Sequence, residues 1–242
     1  MNGTLTYKLF SLSEKQECSD YLSRLPEHMQ DVYFSPEYYE VYEKNGDGKA
    51  YCFIYEDEEK IALYPFLMNK INDLGYDLDD DYYDIQGAYG YNGVVYSSDD
   101  PEFIKKFYSE FNDFCNENNV VAEFTRFHPI LKNHNFSDSY LNVIYNRQTV
   151  YFDLTNGYDF IFSNYGRQLR RALKKAVQNN ITFKVFKNDP EYITTFIEMY
   201  SETMNKVSAE KYYRFSYDYF TNLINNNQVV QIVVLKDDIP IA

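Results

Sequence analysis

Residues 165–180 read YGRQLRRALKKAVQNN, and the reading of this stretch decides whether the chain folds as one domain or two. Arg167, Arg170, Arg171, Lys174 and Lys175 recur at i, i+3, i+4, i+7 and i+8, a spacing that stacks side chains on one face of an α-helix. Leu169, Ala172, Leu173, Ala176 and Val177 repeat that spacing two positions later. Two residues at about 100° each rotate by about 200°, so the apolar stripe lies almost opposite the basic one. The pattern predicts a helix that docks by one face and presents cations on the other. No Asp or Glu occurs from Phe160 to Asn188, whereas seven of the 23 Lys and Arg do, leaving 16 cations against 37 acids elsewhere. Charge runs commonly just keep a helix face solvated. Segregation from so acidic a background points instead to an anion site.

The background sets the outer limits. A length of 242 residues and 45% hydrophobic content suffice for one large core or two modest ones. The rings come from 27 Tyr and 19 Phe with no Trp, so many buried rings carry a hydroxyl that needs a partner or a wet edge. That favours clefts and half-buried sheets. A net charge of −14 excludes general binding of DNA or an anionic membrane, because the long-range field repels phosphates. Any phosphate has to be met locally. Cys18, Cys52 and Cys115 are odd in number and outside CxxC spacing, which fits a reducing compartment and no metal. The start MNGTLTYKLF lacks the features of a signal peptide, and no apolar run approaches the ~20 residues of a transmembrane helix. A cytoplasmic, soluble chain is expected.

Outward from the basic stretch, the elements fall into two similar series. Thr4 to Phe10 reads as a strand and Ser11 to Leu25 as a helix stopped by Pro26. Ser35-Pro36 then caps and starts a second helix that ends at Asn45-Gly46. Ala50–Tyr55 and Ile61–Ile71, joined by an acidic turn, form a hairpin; Tyr82–Tyr96 is a strand opening into a loop with Gly87, Gly90 and Gly93. Asp100-Pro101 starts a helix with Phe103, Phe107, Phe111 and Phe114 on one face. Val120–Phe127 is a strand, His128–Asp138 an irregular connection, and Tyr140–Tyr145 with Thr149–Leu154 a final strand pair. Residues 1–155 thus read as a complete α/β domain. From 156 to 242 the series restarts: the basic helix, a strand at Ile181–Phe186, helices at Pro190–Asn205 and Tyr217–Asn225, and a strand at Val229–Leu235 turning into another. This second domain reads as incomplete at Ala242, and its apolar helix face is expected to pack against the first.

The order of the first series resembles the GNAT acyltransferase fold, and the pairing of two series resembles the FemAB and FemX-like proteins of the GNAT superfamily, which include enzymes of the peptidoglycan-bridge type. The likeness is carried by Tyr83-Asp84-Ile85 leading into Tyr89-Gly90-Tyr91-Asn92-Gly93, by AEFTRFH at 122–128, by the strand and basic helix from Thr149 to Ala176, and by Met199-Tyr200 through Tyr219-Phe220. It implies tandem mixed-sheet domains and transfer of an acyl or aminoacyl group to an amine or hydroxyl of an anionic cell-envelope precursor or glycan. It also implies a donor held by a strand and the start of the helix after it. In the first domain those elements are Tyr82–Tyr96 and the Asp100-Pro101 helix start, where Asp99 and Asp100 stand in place of phosphate donors. The donor elements of the second domain would lie past Ala242, so the chain as given is expected to bind acceptor without turnover.

Candidate substrate-binding residues are therefore Arg167, Arg170, Arg171 and Lys174 on the basic face, with Tyr89 and Tyr91 as stacking rings and Arg126 and His128 at a strand end. A solvated histidine and a surface ion pair are the plainer alternatives for the last two. No catalytic base is singled out, and no nucleophile motif is present. Between donors, acyl-CoA is favoured over aminoacyl-tRNA, since tRNA rewards an extended basic surface. A non-catalytic module that binds an anionic glycan, peptide or protein is the other reading, and an interaction domain docking an acidic neighbour the third.

Overall fold

A computed structural model describes residues 7–242 of the chain. The polypeptide divides into two units between Tyr145 and Asn146. The early part of the expected first strand, Thr4 to Thr6, lies outside the described residues.

In the first unit, β1 (Tyr7–Ser11) runs into a 3-10 turn and α1 (Lys15–Ser23). There the Glu14 carboxylate accepts from the Ser11 N–H in a capping box. The second helix, α2 (Pro36–Asn45), starts where the Ser35 hydroxyl accepts from the Tyr38 N–H at 3.3 Å, and ends at Gly46 in the left-handed region. Next come β2 (Lys49–Asp57), β3 (Lys60–Lys70), β4 (Tyr83–Gln86), β5 (Val95–Tyr96), α3 (Pro101–Glu117) and β6 (Val120–Phe124). The sheet order is β1-β2-β3-β4-β6, with β5 paired to β3. Neighbours are antiparallel as far as β4, and β6 lies parallel to β4. A parallel neighbour requires a crossover, and α3 supplies it.

That sheet is covered on both faces, so its middle strands are apolar almost throughout rather than alternating. Phe53, Tyr55, Tyr64 and Phe66 share one core with Phe103, Phe107, Phe111 and Phe114 of α3. Burying a Phe side chain stabilises by about 1.5–3 kcal/mol. Four on one stripe fix which face of α3 turns inward, against an outer face carrying Glu102, Lys105, Lys106, Glu110, Asp113 and Glu117. On the opposite sheet face Cys52, Ile54, Ile61 and Leu63 share a second core with Cys18 and Leu22 of α1.

The second unit consists of α4 (Gly157–Asn164), α5 (Arg167–Gln178), β7 (Ile181–Lys187), α6 (Ile193–Lys206), α7 (Tyr217–Ile224), β8 (Val230–Lys236) and β9 (Ile239–Pro240). Its sheet is antiparallel, in the order β7-β8-β9. Strand, helix, helix, strand, strand is also the order that opens the first unit. The buried apolar set is small: Ile193, Tyr219, Phe220, Ile224, Val233 and Leu235.

One expectation fails. Residues 142–153 form neither strand of the expected closing pair, and Val150 is 92% exposed. The β-branched and aromatic run from Thr149 has strand propensity, but propensity makes no strand without a ladder partner and a face to bury. The division between units accordingly falls before Thr155. Within its own unit the apolar stripe of α5 finds no cover: none of its residues is buried, and Val177 is 75% exposed. Amphipathicity shows which face of a helix favours cover and says nothing of whether cover is present. No helix among the described residues is long and apolar enough to cross a membrane.

Candidate functional site

Strand β4 stops at Gln86 and β5 starts at Val95, and both pair with β3. Between them GAYGYNGV leaves the sheet as a loop and returns at Asn92, which bridges to Phe127 and whose N–H donates to the Arg126 carbonyl at 2.7 Å. Two glycines make this path possible. Gly90 has φ +119°, and a Cβ there would sit 2.2 Å from the Tyr33 ring; Gly93 has φ +108°, and its Cβ would meet Asn133 and the Phe127 ring below 3 Å. Asn133 is fully buried and acts as the clamp. Its amide nitrogen donates to the carbonyls of Asn92 at 3.0 Å and Val94 at 3.2 Å, while its Oδ1 accepts from the His128 N–H at 2.8 Å. The Tyr38 hydroxyl donates to the Tyr89 carbonyl at 2.6 Å. The loop is thus set by buried polar groups that each need their partner.

What the loop presents is aromatic. Tyr89 is 44% exposed, with the Arg126 guanidinium 5.8 Å from its ring centroid, a cation–π distance. Tyr91 packs edge-on against Tyr33 at 5.3 Å and against His128 at 5.0 Å. The structure therefore brings Tyr89, Tyr91, Arg126 and His128 together at one end of the first unit's sheet.

His128 is buried rather than solvated. Its Nδ1 accepts from the N–H groups of Ile130 and Leu131 at 3.3 and 3.2 Å, so the proton of the neutral ring belongs on Nε2. Nε2 faces Asp31 at 3.7 Å, beyond direct hydrogen bonding. Burial pushes its pKa below the ordinary 6.5, with Asp31 opposing. The ring closes a turn with its lone pair already committed, which removes it as a proton acceptor in this arrangement.

A carboxyl that the sequence reading passed over has the opposite character. Pairing of β6 with β4 slips by one residue after Val120, a bulge that alters which side chains face α3. Glu123 meets Tyr64 on that side, accepting from its hydroxyl at 2.7 Å and from the Thr125 hydroxyl at 3.1 Å. Burial raises its pKa above the ordinary 4.5, while the two hydroxyls pull it back. An acid between Ala122 and Phe124 in a strand was the available signal; the bulge was not legible.

The start of α3 does not fit a donor pyrophosphate. The Asp100 carboxylate caps it, accepting from the Glu102 N–H at 3.1 Å and paired with Lys60, which holds its pKa below the usual range. Anions belong at a helix start, and here the protein's own carboxylate takes that place. Among the described residues no group of three or more His, Cys, Asp and Glu is arranged to hold a metal.

The remaining candidates belong to the second unit. Arg167, Arg170, Arg171 and Lys174 are exposed on α5, and the described ion pairs include none of them. The cap residue Gly166 offers no side chain to the first-turn N–H groups. Cations and open N–H groups coincide there, an arrangement suited to phosphate or carboxylate. No family model matches the chain, and neither does any curated protein or solved structure.

Proposed function

We propose that the chain is a tandem GNAT-like acyl-transfer protein of the FemAB kind, in which the basic face of α5 takes an anionic acceptor. The observation that supports the fold reading most is the first unit's sheet: four antiparallel strands, then a parallel neighbour reached through α3, with the fourth strand interrupted by a projecting loop. The repeated element order of the second unit supports the tandem reading. In this account Arg167, Arg170, Arg171 and Lys174 bind phosphate or carboxylate on an envelope precursor or glycan. Tyr89, Tyr91 and Arg126 offer a stacking surface for sugar or peptide. Glu123, with its raised pKa, lies closer to a general base than an exposed carboxylate does. Acyl-CoA suits the acidic chain better than aminoacyl-tRNA as donor, but the carboxylate-capped start of α3 does not fit it.

That misfit favours a second reading, a non-catalytic module of the same fold that binds an anionic glycan, peptide or protein. One experiment tests both. The chain is titrated calorimetrically with inorganic pyrophosphate, a nucleotide-diphosphate sugar and acetyl-CoA, and assayed for acetyl transfer to amine-bearing envelope precursors. Charge-assisted contacts contribute about 1.5–3 kcal/mol each. Arg170→Glu with Arg171→Glu should weaken anion binding at least tenfold, about 1.4 kcal/mol, with stability changed by less than about 0.5 kcal/mol. Transfer excludes the non-catalytic module, anion binding without transfer is the outcome expected of this chain on either reading, and equal affinity of parent and variant rejects both.

A further inference from the structure

Two of the three cysteines meet inside the first unit. Cys18 on α1 and Cys52 on β2 are buried in the same core. Helical spacing brings the first inward, since Cys18 and Leu22 stand at i and i+4 and are the buried residues of α1. Alternation along the strand brings the second: Cys52 and Ile54 face the core of α1, while Phe53 and Tyr55 face the core of α3. The thiols end side by side, and Cys52 shares a hydrogen bond with Cys18. Cys115 is packed against the ring core on the opposite face of the sheet.

A buried cysteine ordinarily serves as a small apolar filler, closely packed and inert. This pair departs from that in one respect. Cys18 and Cys52 line the same small cavity, with Phe10, Ser11, Leu12 and Tyr39 around it. Core side chains ordinarily interdigitate without such a gap. The gap gives the two thiols room to turn toward each other. It lies close under the surface, because Phe10, Ser11 and Leu12 are only half-buried. Burial, and next the neighbouring Cys18, push the Cys52 pKa up, which keeps that sulfur a thiol. An apolar cavity also resists charge, so a small neutral reagent suits it better than a large ionic one.

We propose that Cys18 and Cys52 form a redox-active pair that closes into a disulfide under a small neutral peroxide. One peroxide oxygen passes to the first sulfur, which becomes a sulfenic acid as water departs. The second thiol then attacks that sulfur, and the hydroxide it displaces leaves as water with the attacking thiol's proton. Two electrons pass from the sulfurs to the peroxide. The bond ties α1 to β2 and closes the segment that carries Tyr33 and Tyr38, against which the loop at Tyr89 and Tyr91 rests.

The test treats the full chain with hydrogen peroxide, caps the remaining thiols with N-ethylmaleimide in urea, and maps the peptides by mass spectrometry. The expected product is a monomer two hydrogens lighter, capped only at Cys115, with the Cys18 and Cys52 peptides joined. Dithiothreitol should return all three caps. Oxidation in urea should give a mixture of the three pairings instead, because only the fold selects this one. Cys115→Ser should leave the bond intact, and Cys18→Ser or Cys52→Ser should abolish it without diverting the remaining thiol to Cys115. Three free thiols after peroxide, a bond that includes Cys115, sulfinic acid in place of the disulfide, or a Cys18–Cys52 bond that forms only in urea overturns the proposal.

Discussion

Replacing Asn133 with Ala tests whether one buried amide holds the Gly-Tyr loop in place. The substitution removes three hydrogen bonds at once and leaves the carbonyls of Asn92 and Val94 and the N–H of His128 without that partner, all in buried residues. An unsatisfied buried group costs about 1–3 kcal/mol. Three such groups sum to about 3–9 kcal/mol, and relief from water entering the site brings the expected loss to about 3–5 kcal/mol. That is a large part of the ~5–15 kcal/mol that typically holds a domain together. Urea unfolding followed by circular dichroism measures the loss, and hydrogen exchange read on peptides covering 87–94 and 127–134 locates it. Protection should fall there first, while α3 opens only with global unfolding. Asn133→Asp keeps the size and one acceptor but turns a carboxylate toward two carbonyl oxygens, so it should cost at least as much as Ala. A loss under about 1 kcal/mol with unchanged protection of 87–94 would refute the reasoning and shift the burden to the Tyr38 bond.

Gly90→Ala should cost at least about 2 kcal/mol, since it combines φ +119° with a Cβ 2.2 Å from the Tyr33 ring, whereas Gly75→Ala, with φ +89° and nothing within 4 Å, should cost about half as much; equal melting temperatures for the two variants would contradict this. Glu123→Gln should change the pH dependence of stability. The folded pKa of Glu123 is raised, so between the ordinary 4.5 and that higher value the native state holds a proton that the unfolded state has lost, and the parent loses stability as pH rises through this window. The variant should therefore gain on the parent in urea midpoints as pH rises above the ordinary 4.5, and a difference independent of pH would show that the carboxyl is effectively solvated. His128→Gln should destabilise the turn at residues 128–131 and remove a pH step of the parent: burial holds the native ring neutral below the ordinary 6.5 at which the unfolded ring protonates, so the parent loses stability as pH falls through 6.5 and the variant does not; the same pH profile for both would count against that.

Sequence determined those features whose physics is local. Ser35-Pro36 and Gly46 bound α2, Asp100-Pro101 and the four-residue Phe spacing specify α3, and the acidic turn between two apolar runs specifies the β2–β3 hairpin, because caps, turns and periodicity act within a few residues. It also placed both faces of α5 and the glycine-bearing loop after β4. Tertiary structure decided the rest. Whether α5 finds cover for Leu169 and Leu173, and whether Thr149–Leu154 finds a strand partner, depends on surfaces far away in sequence; the second unit by itself covers neither leucine, and Thr149–Leu154 forms no strand. The lone pair of His128 is taken by two amides that only a closed turn supplies, and Glu123 reaches Tyr64 because a bulge shifts one strand by a residue. A buried polar group takes its chemistry from its partners, and partners brought together by the fold leave no periodicity in the chain.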